Sequence, residues 1–167
     1  MVKQVYIASA ARTPVGSFLG ALSAMSAPEL GAHSIRACID RASVQDSQID
    51  EVIMGNVVSA GLKQAPARQA MRNAGLPDSC GATSVNKVCG SGMKAIMLAT
   101  DLIKADSGTT IIAGGMESMS NAPFLVQKAR SGLRMGHQQM QDALFLDGLE
   151  DAETCLLYTS PSPRDRQ

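Results

Sequence analysis

The stretch Lys87-Val88-Cys89-Gly90-Ser91-Gly92-Met93-Lys94 sets a cysteine between the end of a strand pattern and the glycine-rich start of a helix pattern. Upstream, Ala82 to Asn86 (ATSVN) reads as a short strand end. Downstream, SGMKAIMLATDLIKAD runs from Ser91 to Asp106, rich in apolar residues and without a breaker. That is long enough for a helix of about four turns at ~3.6 residues per turn. Cys89 is therefore expected at or just before a helix N-terminus, where unsatisfied N–H groups and the positive end of the helix dipole stabilise a thiolate and can hold an oxyanion beside it. Small neighbours, Gly90, Ser91 and Gly92, would let an acyl group approach the backbone. The competing assignment is a buried cysteine that only packs, the commoner fate of a free thiol.

A helix terminus contributes about 0.3–2 kcal/mol to a neighbouring anion, too little to ionise most of a thiol at neutral pH. Nucleophilic catalysis then calls for a positioned base, most often histidine. The chain has two, His33 and His137. His33 falls in a helix predicted over Pro28 to Ala42, opened by Ser26 as N-cap with Glu29 three residues on and Pro28 in the first turn. At 100° per residue Ile35, Cys38, Ile39 and Ala42 share one face, and His33, Arg36 and Asp40 the other. His33 should be solvated. His137 follows Met135-Gly136 in a polar stretch and reads as a loop residue. Neither histidine is expected to serve as the base.

A length of 167 residues suits one domain, and 45% hydrophobic content supports a packed core. With 15 basic against 15 acidic residues, nothing points to a nucleic-acid or membrane partner. Cys38, Cys80, Cys89 and Cys155 form no C-x-x-C pair, so neither a metal site nor a disulfide framework is expected. A strand pattern (QVYIASA) follows the N-terminus at once, with no basic-then-apolar leader, and no apolar run reaches bilayer-spanning length. A reducing, cytoplasmic location is the expectation.

Strand and helix patterns alternate. Strands are predicted over Gln4 to Ala10, Glu51 to Val57, Ala82 to Asn86 and Thr109 to Ala113. Helices are predicted over Pro28 to Ala42, Pro66 to Ala74 and Ser91 to Asp106. Such alternation argues for a largely parallel α/β sheet. Breakers separate the elements, as at Asn73-Ala74-Gly75-Leu76-Pro77 and Gly114-Gly115. On the helix that follows Cys89, Ile96, Leu98, Ala99, Leu102 and Ile103 cover most of the circumference, while Lys94, Asp101 and Lys104 make a narrow stripe. That helix is expected to lie between two sheets. From Met116 to Gly148 the pattern dissolves into loops or small helices. Residues 153–167 (ETCLLYTSPSPRDRQ) read as disorder.

The words AARTPVGSF (Ala10 to Phe18), MGNVVSAG (Met54 to Gly61), APARQA (Ala65 to Ala70), NKVCGSGMKA (Asn86 to Ala95), AGGMESMSNAP (Ala113 to Pro123) and DGLEDA (Asp147 to Ala152) stand in the order and spacing of thiolases. Over residues 1–152 the chain resembles that family, in its acetyl-CoA C-acetyltransferase branch. The resemblance implies an αβαβα layered fold, of which this chain would hold only an incomplete N-terminal half. Residues 1–120 would be the N-terminal domain without its last strand, 121–152 the start of a loop domain, and 153–167 a tail foreign to the family. It implies acyl-CoA and coenzyme A as substrates, no resident cofactor, and a homodimer or homotetramer for a full-length relative. Cys89 matches the cysteine that becomes acylated, with its backbone N–H in an oxyanion hole. A second thioester, deprotonated at its α-carbon, then attacks the acyl-cysteine to give a 3-oxoacyl thioester, or thiolysis runs in reverse. Leu149, in the DGL word, would wall part of the coenzyme A pocket.

The words that carry the family's activating histidine (GHP), second cysteine (CxGGG) and water-positioning asparagine (NEAF) do not occur here. Cys155, in ETCLLY, lacks the glycines such a site needs, and Glu153 stands where an aromatic residue usually follows. From there the sequence resembles translated vector or adapter read-through. The alternative expectation is thus a non-catalytic fragment, poorly soluble, with at most weak acyl-CoA or subunit binding. Ketoacyl synthases share such a nucleophile. Gly90 to Ala95 also satisfies the dinucleotide fingerprint G-x-G-x-x-A, although the next strand ends in glycines instead of an acid. Met93, Met97, Met116 and Met119 are expected to pack in a core or subunit contact. Arg12 and Arg68 would touch a phosphate or make structural hydrogen bonds. Glu117, just past a strand end, would satisfy backbone N–H groups.

Overall fold

Glu51–Gly55 (β1) forms the centre of a parallel sheet of order β2-β1-β3, flanked by Gly81–Val85 (β2) and Ile111–Gly115 (β3), in a computed structural model that describes residues 3–153. Val52 lies opposite Ala82 on one side and Ile112 on the other. Side chains alternate across a strand, so β1 feeds two cores. Val52 and Met54 point into a cluster with Ile35 and Ile39 of α1 (Ala27–Ala42) and with Ala67, Ala70 and Met71 of α2 (Pro66–Asn73). Ile53 points the other way, onto Ala95 and Ala99 of α3 (Ser91–Lys104). Two helices thus cover one face of the sheet and one covers the other, the arrangement that buries both faces of parallel strands.

Local chemistry sets the element ends. Ser26 and Glu29 close a capping box at the start of α1, as the sequence predicts. Pro66 opens α2, and the Ser84 hydroxyl of β2 accepts the Ala67 N–H at 3.0 Å. α3 stops where Asp106 turns left-handed (φ 59°) and the Ser107 N–H returns to Leu102 O at 2.9 Å. Two predicted strands are shorter than expected for one reason. The Thr109 and Thr110 N–H groups are taken by the Asp50 carboxylate at 2.6 and 3.0 Å, so β3 begins at Ile111. The Val57 and Val58 N–H groups are taken by Glu117, so β1 ends at Gly55.

Other expectations need correction. Gln4 to Ala10 is not a strand. Ser9 bonds to Cys38 O of α1, and Ala10 O accepts from Arg41, but no ladder forms, and Tyr6 and Ile7 are 78% and 84% exposed. An alternating pattern gives a strand only where a neighbour supplies hydrogen bonds. The second sheet expected over α3 is not among the described residues: Met93, Ile96 and Met97 face outward, Met93 at 72% exposure. Of the four methionines expected in a core or a subunit contact, Met116 is in the core, and Met93, Met97 and Met119 are exposed on this chain. The region after β3 contains a small antiparallel ribbon, Phe124–Leu125 (β4) with Gln141–Asp142 (β5), and a π-helical turn, Phe145–Leu149, beyond the loops and small helices expected. The predicted disorder of 153–167, Cys155 included, lies outside the described residues apart from Glu153.

Candidate functional site

Segments leaving the carboxyl ends of parallel strands converge on one side of the sheet, where open α/β proteins bind their ligands. Here residues of three such segments meet: Val57 and Val58 after β1, Val88 and Cys89 after β2, and Met116, Glu117 and Met119 after β3. With Leu144, Gly148 and Leu149 from the π-helical turn they line a groove of about 420 Å³ that contains Cys89. The two residues singled out from the sequence, Cys89 and Leu149, therefore share one groove.

Cys89 is exposed and lies two residues before the first residue of α3. The turn that presents it is strained: Val88, a β-branched residue, has φ 47°. Such a conformation costs about 1–3 kcal/mol and persists only when its surroundings hold it. The buried Ser91 hydroxyl does much of that, accepting the Lys87 N–H at 2.8 Å and donating to Val88 O at 2.6 Å. Asn86 Oδ1 accepts the Val88 N–H at 2.9 Å. Beneath the turn, α3 meets the sheet through glycines. A Cβ on Gly55 would stand 2.6 Å from Ser91 Cβ, and one on Gly115 would lie 3.4 Å from Gly92 Cα. Of the dinucleotide-like word, Gly92 is thus accounted for by helix–strand contact, and Gly90 lies against Lys87 O within the turn.

Glu117 makes the contacts foreseen for it. Its Oε2 accepts the Val57 N–H at 2.9 Å, and its Oε1 accepts the Val58 N–H at 3.2 Å and Asn56 Nδ2 at 2.8 Å. Burial pushes its carboxyl above the usual carboxylate range, against the pull of these donors. Asn56, 4% exposed, also donates to Met116 O at 3.3 Å, while its Oδ1 has no partner among the described residues. Sequence reasoning missed Asn56; its one signal is a lone amide within the apolar MGNVV.

His33 and His137 are exposed, and neither lines the Cys89 groove. Arg68 contacts Cys80 O and Asp78, a structural role. Arg12 lines a different cavity, of about 530 Å³, between residues 11–18 and β3. Among the described residues no group of His, Cys, Asp and Glu could hold a metal ion, and no helix is long and apolar enough to cross a membrane. The site is that of an α/β protein with one accessible thiol at a helix N-terminus, beside a groove open to a small ligand.

Residues 5–158 match the family description "Thiolase, N-terminal domain", and the chain belongs to the thiolase family. It is 51% identical over 149 residues to the acetyl-CoA acetyltransferase of Escherichia coli K12, covering 89% of this chain and 38% of that protein. It is 50% identical over 149 residues to acetyl-CoA acetyltransferase 2 of Arabidopsis thaliana, covering 89% of this chain and 37% of that protein. The solved Acat5 thiolase of Ascaris suum, in complex with coenzyme A, superposes with a TM-score of 0.89 at 42% identity, over 93% of this chain and 40% of that one. The chain thus spans about two-fifths of the length of the relatives it matches.

Proposed function

We propose that this chain is the acyl-accepting part of an acetyl-CoA C-acetyltransferase, with Cys89 as the residue that takes the acyl group and Leu149 as part of the coenzyme A wall. The observation that carries this is the single groove that joins an exposed thiol, held in a strained turn at a helix N-terminus, to Leu149. Attack of the Cys89 sulfur on a thioester carbonyl forms the new C–S bond, and the coenzyme A thiolate leaves with the electron pair of the broken one. The backbone N–H of Cys89, with the positive end of the α3 dipole beside it, would help to hold the intervening oxyanion. The completed enzyme would join two acetyl-CoA into acetoacetyl-CoA or run the reverse. Coenzyme A thioesters enter as substrates, in a cytoplasmic homodimer or homotetramer.

The second reading, a fragment that accepts or binds but does not turn over, is favoured by the positions of both histidines away from the groove. Treatment with iodoacetamide should alkylate Cys89 quickly. Cys80 should resist, because burial pushes its thiol up and keeps it protonated. In excess acetyl-CoA, mass spectrometry should find slow acetylation on Cys89 alone, absent in Cys89→Ser, with no acetoacetyl-CoA formed. Equal acetylation of Cys38 and Cys89 would end the nucleophile assignment; acetoacetyl-CoA in the medium would end the fragment reading.

A further inference from the structure

We propose that Glu117, locked by the buried Asn56 amide, is a positioning residue that sets the wall of the Cys89 groove and thereby its fit to a coenzyme A compound. This rests on the acyl-acceptor role of Cys89 proposed above. A carboxylate is the one side chain that offers two acceptor oxygens and no donor. Glu117 uses both on successive backbone amides, Val57 at 2.9 Å and Val58 at 3.2 Å, and so holds the chain leaving β1 in one conformation. Asn56 Nδ2 at 2.8 Å fixes the orientation of that carboxylate. The amide is buried with its own Oδ1 unpartnered among the described residues, so its donor end is the part the fold uses.

What Glu117 holds is the groove itself. Val57 and Val58 line it, and a Cβ on Gly148 would stand 3.3 Å from Val58 Cγ2, so the Gly148-Leu149 side rests on the same valine. Moving Val58 moves the Leu149 wall. With its oxygens engaged by N–H donors, Glu117 acts through the wall and not on a substrate proton.

The test compares the 167-residue chain with Glu117→Gln, an isostere that turns a donor toward one of the two amides. Two probes read the Cys89 thiol: iodoacetamide, which needs only an accessible sulfur, and coenzyme A disulfide, which must also fit the groove. With the disulfide, the Cys89 thiolate attacks one sulfur, the S–S bond breaks and coenzyme A thiolate leaves. The variant should react with iodoacetamide within about twofold of the parent and with the disulfide roughly tenfold more slowly. Hydrogen exchange at Val57 and Val58, followed by NMR, should quicken while Val52 and Ile53 stay protected. Unchanged exchange at Val57 and Val58, or an unchanged ratio of the two labelling rates, overturns the proposal. So does an equal fall in both rates with faster exchange throughout, which would mark Glu117 as a general stabiliser. Glu117→Asp, which keeps the charge but shortens the reach, should show the same pattern and replaces the first variant if that chain does not fold. Failure of the parent to be acetylated would sink the acyl-acceptor reading alone, because the disulfide and exchange comparisons still decide the role of Glu117.

Discussion

At the scale of single residues, the turn at Cys89 is a strained conformation held by one hydroxyl. Ser91→Ala would remove the acceptor of the Lys87 N–H and the donor to Val88 O, and the loss of such part-buried hydrogen bonds costs about 0.5–1.5 kcal/mol each. Urea unfolding should show that loss with an unchanged slope; a change below about 0.5 kcal/mol would mean that Ser91 does not clamp the turn. Glu117 gives a pH signature. Its carboxyl sits above its ordinary 4.5, so its contribution to stability is full below 4.5 and is lost as pH rises through the raised value. Thermal melting of Glu117→Gln should lack that decline. The position of Cys89 just before α3 was legible in the sequence because it follows from neighbours a few residues away. Asn56 was not, because an asparagine after a strand is ordinary until its partner, far along the chain, is known.

At the scale of elements, two contacts decide how α3 and the strands register. Gly55 is where β1 touches the first turn of α3, and a Cβ there would come within 2.6 Å of Ser91. Gly55→Ala should displace that turn and cost about 1–3 kcal/mol, as overpacking does, and should alter the rate of Cys89 alkylation. Wild-type stability and labelling in that variant would show that the contact yields. At the opposite end of the sheet, Asp50 ties β1 to β3 through Thr109 and Thr110, whose N–H groups hold its carboxyl below its ordinary 3.8. That contribution is present above 3.8 and lost as pH falls through the lowered value. Asp50→Asn should therefore show a shallower fall in melting temperature on acidification than the parent. Helix ends and strand order in the chain were readable from caps, breakers and alternation. The exact strand limits were not, since they depend on carboxylates that capture backbone amides from another strand.

At the scale of the molecule, apolar side chains that a packed core would hide lie in the open: Tyr6 and Ile7 on the N-terminal segment, Ile96 and Met97 on α3. Exposed apolar side chains in such numbers favour association. Sedimentation velocity should show self-association that increases with concentration, and Ile96→Lys combined with Met97→Lys should reduce it. A parent chain that stays monomeric at all concentrations would refute this. The all-round apolar pattern of α3 predicted covers on more than one side. It could not say that only one cover is present among the described residues.

From the sequence alone came the succession of strands and helices from α1 to β3, the family and the thiol before α3, because these depend on backbone preferences and short words that act over a few residues. Tertiary structure decided which distant residues meet. The register of three parallel strands brings their carboxyl ends side by side, and only that pairing places Val57, Val58, Glu117 and Leu149 around Cys89. It also decided that Gln4 to Ala10 is no strand, for a ladder exists between chains of residues and never within one.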